Sequence, residues 1–273
     1  MTKQTIKIAV IGVGYLGQYH AEKCAKIESA DLIAVCDADA ERAQEIAKRL
    51  DCEATTDYKT LIGKIDAACI VTPTPLHYKI AKFMLQNGVH LLVEKPITTT
   101  VAEADELIKI AQDNNCKLQV GHLERFNNAL CSVKPLLENP RFIESTRLAP
   151  FQTRGSDVSV ILDLMIHDID LIQYLTQSEI KSIAATGASV LSDNIDICNA
   201  RIEFENGTVA NVTASRVNLK KVRLLRIFQH DSYFTINLER KSIACYKKTE
   251  TDNTPKISSE EIIVDQGDAL HDQ

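Results

Sequence analysis

The chain has 273 residues, 45% of them apolar and 25% charged, which is the composition of an ordinary globular protein long enough for two domains. Its net charge of -6 argues against a nucleic-acid partner, which calls for a concentrated basic face, while a local group of arginines can still hold a small anion on an acidic protein. No apolar run reaches the roughly 20 residues that span a membrane, so no membrane partner is expected.

The eight cysteines are scattered and form no C-x-x-C pair, so neither a redox motif nor a zinc motif is present. Cys36 and Cys69 lie inside apolar strand patterns and read as small buried hydrophobes, and reduced thiols in a reducing cytosol are expected. Residues 1–5 lead straight into the first strand and leave no room for a signal peptide, which again points to a cytoplasmic chain.

Residues 8–11 read as a buried parallel strand that ends in Gly12, Gly14 and Gly17, spaced G-x-G-x-x-G, and residues 15–25 then have helical character. In this pattern Gly12 permits the tight turn, Gly14 lets a diphosphate approach the backbone, and Gly17 lets the helix pack closely on the strand. Tyr15 and Leu16 open the helix whose N–H groups face the diphosphate. Residues 32–36 form a second apolar strand, and Asp37 ends it twenty positions after Gly17. An acidic side chain there accepts hydrogen bonds from the adenosine ribose and repels a 2′-phosphate, which favours NAD over NADP. A glycine-rich turn with no ligand fits the three glycines alone; strand, glycines, helix, strand and acid together favour the dinucleotide.

A helix is expected over 39–50, a short strand near 53–55, and a strand over 67–71 that ends in Thr72-Pro73-Thr74-Pro75. Those prolines stop the sheet and start a helix carrying Ile80, Ala81 and Met84. A strand over 89–93 runs into Glu94-Lys95-Pro96, a helix spans about 101–114, and a last strand over 117–120 closes at Gly121. This alternation predicts a doubly wound parallel sheet, a Rossmann domain of residues 1–121. The carboxyl ends of its strands share one rim, where ligands bind, and that rim collects Gly12, Asp37, Thr72, Pro73, Glu94, Lys95, Gly121 and His122. Lys95 is placed there to polarise a substrate oxygen or carry its proton, the plain alternative being a surface lysine in a turn. Glu94 either holds the lysine or faces the nicotinamide ribose, and His77 either contacts the cofactor or caps its helix.

Residues 123–139 read as a mostly helical connector, whose Arg125 and Asn127 are candidates for substrate binding. A buried helix over about 157–175 carries Asp163, His167 and Asp170 at i, i+4 and i+7, on one face. Buried charges need a partner or a cavity. His167, oriented by Asp163 one turn earlier, is the candidate acid–base residue; a core histidine satisfied by a neighbour is the alternative. Metal binding by Asp163, His167 and Asp170 is the poorer reading, and no metal is expected, because nothing else supplies a nearby ligand motif. Arg147 and Arg154 precede this helix and suit either a planar anion or an ion pair, and Asp168 and Asp170 suit the backbone or the connector as partners. From residue 180 the pattern has period two: Asn199, Arg201 and Glu203 alternate with Ala200, Ile202 and Phe204, followed by an Asn206-Gly207 turn and a strand over 208–213. Further strands are expected over 224–228, 233–238 and 242–246, a shorter one over 261–264, and a polar surface loop over 247–259. Residues 122–273 thus read as a second α/β domain with an open, largely antiparallel sheet.

Gly12–Gly17, Asp37, Thr72-Pro73 with His77, Glu94-Lys95-Pro96, Gly121-His122 with Arg125-Phe126, and Asp163-x-x-x-His167 together resemble the Gfo/Idh/MocA family of nicotinamide oxidoreductases. The resemblance covers nearly the whole chain. It implies hydride transfer at a sugar or cyclitol carbon, with Lys95 and His167 handling the proton, and a homodimer or homotetramer formed through the C-terminal sheet. Residues 122–127 and 161–170 look like those of nucleotide-sugar 3-dehydrogenases, which implies a sugar substrate such as UDP-N-acetylglucosamine oxidised at C3. A free sugar, an inositol or a linear tetrapyrrole as substrate, and a non-catalytic NAD-sensing regulator, are the alternatives. Family chains usually continue into a further helical segment where this one stops at Gln273, so the second domain is expected to lack it.

Overall fold

The computed structural model describes residues 5–152, 158–251, 254–265 and 267–273. It divides into two compact units, one of residues up to His122 with Leu270–Gln273, the other of Leu123–Ala269.

In the first unit the order is β1 (Ile6–Ile11), α1 (Gly17–Cys24), β2 (Ala30–Cys36), α2 (Ala40–Leu50), β3 (Glu53–Thr55), β4 (Ala67–Ile70), α3 (Thr74–Gln86), β5 (His90–Glu94), α4 (Val101–Asp113) and β6 (Leu118–Gly121). The six strands are all parallel, in the order β3-β2-β1-β4-β5-β6. Period-two alternation explains why helices cover both faces. Ala9 and Ile11 of β1 join Ile80, Met84, Leu85 and Leu107 in one core, whereas Val10 joins Ala21, Ile46 and Ala47 in the other. Two of the helices, α2 and α4, begin where their caps dictate. Asp39 accepts from the N–H groups of Glu41 and Arg42, and Thr100 with Glu103 forms a capping box.

In the second unit short helical turns at Leu123–Phe126 and Lys134–Leu136 flank α5 (Asn128–Val133), followed by β7 (Phe142–Leu148). A π-helical turn, Ile161–Met165, then leads into α6 (Ile166–Thr176). Seven strands follow: β8 (Ile180–Ala188), β9 (Ile197–Phe204), β10 (Val209–Ser215), β11 (Val222–Gln229), β12 (Ser232–Asn237), β13 (Ser242–Thr251) and β14 (Thr254–Ile262). With β7 they form one sheet, β14-β13-β12-β11-β7-β10-β9-β8, antiparallel except where β7 and β10 run parallel. One face buries Ile143, Ala200, Ile202, Val212, Leu225 and Ile236 against Leu130 of α5 and Leu171 and Ile172 of α6. The other face carries Phe142, Phe228, Tyr233 and Tyr246, adjacent rings 4.4 to 5.9 Å apart between centroids.

Three expectations change here. Residues 247–259 are not a loop: β13 and β14 pair through them, with Lys247 and Glu260 2.8 Å apart across the hairpin. Lys247, Lys248, Thr249, Lys256, Ser258 and Ser259 are exposed polar residues, so this stretch leaves no apolar period and is held by the backbone ladder. A strand also lies where none was expected. β7 sits at the centre of the sheet, yet two of its three buried positions are Ser145 and Arg147, which erases the hydrophobic alternation. Finally, the helix expected over 157–175 is broken by the π turn, where the Ile166 N–H reaches back to the Ile161 carbonyl. Residue 157 lies outside the described residues.

The connection between β8 and β9 is tied down by one buried carboxylate. Asp196 accepts from the backbone N–H groups of Val190, Leu191 and Ser192, from the Ser192 hydroxyl, and from Arg216 Nε at 2.7 Å. Burial alone would push the Asp196 carboxyl up, but the bonds from Ser192, Arg216, Val190 and Leu191 hold it well below the usual carboxylate range. A depressed folded-state value means that the carboxylate stabilises the fold above the ordinary aspartate value of about 3.9, and that this is lost progressively at lower pH. Asp196→Asn is therefore expected to lower the melting temperature at pH 7 and to differ less from the unaltered protein at pH 3. A gap of the same size at both pH values in thermal unfolding would contradict this. Among the described residues no helix is long and apolar enough to cross a membrane.

Candidate functional site

The glycine turn lies at the carboxyl end of β1. Gly12 has φ +89°, and a Cβ there would sit 2.8 Å from backbone atoms of Val71 and Thr72, so the strand end tolerates only glycine. A Cβ on Gly17 would collide with the Gly12 carbonyl, whereas one on Gly14 would meet nothing within 4 Å. Gly14 thus leaves open space where a diphosphate would approach, beside the start of α1 led by Tyr15 and Leu16. Tyr15 is exposed, and its ring meets that of Tyr19 edge-on at 5.7 Å.

Asp37 follows β2 and braces this turn: Oδ2 accepts the Val13 N–H at 2.8 Å and Oδ1 the Asp39 N–H at 3.1 Å. Arg42 of α2 donates to the Val13 carbonyl at 3.0 Å, so both polar groups of that peptide position are held by side chains. A carboxylate retains acceptor capacity beyond two N–H bonds, as binding a ribose requires. Burial beside Asp37 and Asp57 pushes the Cys36 thiol up to about 11, so it stays protonated and inert at the strand end. Thr72 and Pro73 follow β4. Thr72 Oγ1 is buried with no hydrogen-bond partner among the described residues, and Pro73 is the N-cap of α3. The open approach at Gly14, the Asp37 carboxylate and the unsatisfied Thr72 hydroxyl fit a bound dinucleotide.

His77 is corrected. It is 1% exposed, with its ring nitrogens 2.9 Å from the Pro96 carbonyl and 2.7 Å from that of Thr72. It has no surface to offer a cofactor and instead joins two turns of the rim. Glu94, 8% exposed, is turned inward to His20 at 2.9 Å while accepting the Lys95 N–H at 3.2 Å. Of its two expected roles the structure displays a hold on the Lys95 backbone. Lys95 itself follows β5 and is half-buried. His20 escaped the sequence reading. Its signal was a histidine on the buried stripe Gly17, His20, Ala21 and Cys24 of an eight-residue helix.

In the second unit Asp163 lies in the π turn and His167 in the first turn of α6, both half-buried. His167 and Asp170 lie three positions apart within α6, and Asp163 precedes them in the π turn. Asp170 is clamped by Arg125, whose Nε and Nη2 reach it at 2.8 and 2.5 Å. The hydrogen bonds it donates to Asp170 raise the Arg125 value further, and the guanidinium lies 5.0 Å from the Tyr174 ring centre. Arg125 is thus engaged within its own unit with part of its surface exposed. Asn127, expected at the substrate, is engaged within its own unit. It is buried, accepts the Ala129 N–H as the N-cap of α5, and donates to Glu124 and to the Leu238 carbonyl. Arg154 lies outside the described residues.

Asp168, next to His167, anchors the helix. It receives Arg147 Nε at 2.7 Å and Nη2 at 3.2 Å, and the Ser145 hydroxyl at 2.8 Å. Arg147 Nη1 continues to Glu124 at 3.0 Å. Burial opposes the Arg147 charge, but Asp168 and Glu124 outweigh it and raise its value. Two arginine–aspartate forks therefore fix α6, one to the 123–126 turn and one to β7.

Residues 6–122 match an oxidoreductase family described as having an NAD-binding Rossmann fold, and residues 140–243 match the GFO/IDH/MocA C-terminal domain. The chain is 39% identical over 268 residues to a UDP-N-acetylglucosamine 3-dehydrogenase of Acidithiobacillus ferrooxidans, covering 97% of this chain and 85% of the relative. A solved structure of that enzyme superposes with a TM-score of 0.92, covering 98% of this chain and 86% of that one. More distant is the scyllo-inositol 2-dehydrogenase (NAD(+)) of Bacillus subtilis, 28% identical and covering 78% of this chain and 68% of the relative. With both units matched in chain order and the glycine turn and Asp37 in place, the chain belongs to the Gfo/Idh/MocA family of NAD-binding oxidoreductases.

Proposed function

We propose that this protein is an NAD-dependent dehydrogenase that oxidises a nucleotide sugar, UDP-N-acetylglucosamine at C3. The observation that carries the substrate is the 39% identity along 97% of the chain to an enzyme named for that reaction, against 28% over 78% for the inositol relative. Residues 1–121 hold the cofactor and residues 122–273 bind the sugar. NAD, when bound, supplies the hydride acceptor. Gly12, Gly14, Tyr15, Leu16 and Gly17 cradle its diphosphate, Asp37 receives its ribose hydroxyls, and Thr72 and Pro73 border it. Lys95 stabilises the oxygen of the reacting hydroxyl as negative charge develops, and His167, oriented by Asp163, accepts its proton. Arg125 orients the substrate.

The test is NADH absorbance with a panel led by UDP-N-acetylglucosamine and including free N-acetylglucosamine and inositols. NADH formation with the nucleotide sugar alone is expected. Activity with inositols only would replace the substrate, and NADH binding without turnover on any member would favour a sensor.

We also propose that the protein works in the cytoplasm as a homodimer or homotetramer in which a second copy covers the open face of the sheet. The half-buried row of Phe142, Phe228, Tyr233 and Tyr246 supports this. A monomer mass by light scattering would overturn it.

A further inference from the structure

Three elements meet at the Glu94 carboxylate. From α1, His20 is 4% exposed and places Nε2 2.9 Å from Oε1. From β5, the N–H of Lys95 donates to Oε2 at 3.2 Å. From β6, the bare Cα of Gly121 faces the carboxylate, and a Cβ there would stand 2.8 Å from Oε1. A carboxylate only accepts, so Nε2 of His20 is the donor. Rotation of Glu94 is therefore opposed by a hydrogen bond on one side and confined by β6 on the other. The peptide it holds is the one from which the Lys95 side chain departs.

We propose that His20 is a positioning residue for Lys95. Through Glu94 it fixes the first peptide of the Glu94-Lys95-Pro96 turn, and Gly121 keeps the space in which the carboxylate sits. The role rests on the reading of Lys95 given above, but its geometry lies wholly within the first unit. His20 also stands three residues after Gly17, so one contact ties the helix of the diphosphate cradle to the turn carrying the lysine.

Three variants test this. His20→Leu removes the donor and keeps bulk, and His20→Gln returns an amide N–H near the place of Nε2. Gly121→Ala displaces the carboxylate from the opposite side, moving a side-chain end rather than backbone. The first measurement needs no substrate: acetylation of Lys95 by an N-hydroxysuccinimide ester, followed by mass spectrometry and normalised to the exposed Lys64. His20→Leu and Gly121→Ala are expected to change the Lys95 rate by at least about threefold, and His20→Gln to restore it, because a turn released by a fraction of an ångström re-aims its side chain. The second measurement is turnover with NAD and UDP-N-acetylglucosamine. An ångström-scale displacement of a catalytic group costs about ten- to a hundredfold in kcat, with the KM for NAD little changed. Unchanged Lys95 labelling in the folded variants, or a glutamine variant no better than leucine, would overturn the proposal. Should His20→Leu not fold, Gly121→Ala carries the same comparison. If the unaltered protein does not turn over the nucleotide sugar, the substrate reading fails while the labelling still decides the role of His20.

Discussion

Replacing His167 with alanine is expected to lower turnover by about 10²–10⁴-fold, the usual contribution of a positioned general base, while NADH binding is retained. His167 belongs to the second unit and none of the cofactor cradle does, so its removal leaves Gly12–Gly17 and Asp37 untouched. Lys95→Ala is expected to show the same pattern, because an ammonium that stabilises a developing alkoxide acts on the transition state rather than on bound NADH. Steady-state rates with UDP-N-acetylglucosamine, read beside a fluorescence titration with NADH, separate the two quantities. Near-normal turnover in both variants would remove these residues from the mechanism. Asp163→Asn should fall between the unaltered enzyme and His167→Ala, since it alters the orientation of the base and leaves the base in place.

The largest effect on stability is expected at the other side of the same helix. Arg147 is 2% exposed and balances two carboxylates, Asp168 and Glu124. Arg147→Ala leaves both buried without their principal cation, and breaking such a pair costs about 3–5 kcal/mol. For a unit of this size that corresponds to a melting temperature lower by roughly 6–20 °C. Asp168→Ala should do similar damage by leaving the Arg147 guanidinium with Glu124 alone. Replacing Arg147 and Asp168 together by apolar residues should cost less than either single change, because no buried charge is then stranded at that position. Calorimetry of the three variants checks this, and an Arg147→Ala protein that melts with the parent would show that the network carries little of the fold. A loss of activity in these variants should follow the loss of folded protein, unlike that of His167→Ala.

How much was legible in the sequence depended on how local the cause was. The first unit was read almost element by element, since most of its strands are short apolar runs, α2, α3 and α4 each begin at a cap or a proline, and Gly17 is explained by the Gly12 carbonyl within the turn itself. The second unit was read only where alternation was intact, as in β9, with Cys198, Ala200, Ile202 and Phe204 inward. It was missed at β7, where Ser145 and Arg147 take inward positions because Asp168 on a distant helix meets them. The hairpin of β13 and β14 was missed for a related reason. A strand held chiefly by its neighbour's backbone needs no apolar side chain to mark it.

The site divides along the same line. Local residues alone pointed to the class of chemistry: a dinucleotide turn with an acid at the end of the next strand, a lysine on the same rim, and a histidine among aspartates on a helix. Which polar residues are partners of one another follows from contacts between elements far apart in the chain. His77 is enclosed between two carbonyl groups, Asn127 caps a helix, Arg125 is engaged by Asp170, and Glu94 meets His20. Those pairings join residues up to 74 positions apart, and the physical reason they stay hidden is that a buried polar group must find a partner without any constraint on where along the chain that partner lies.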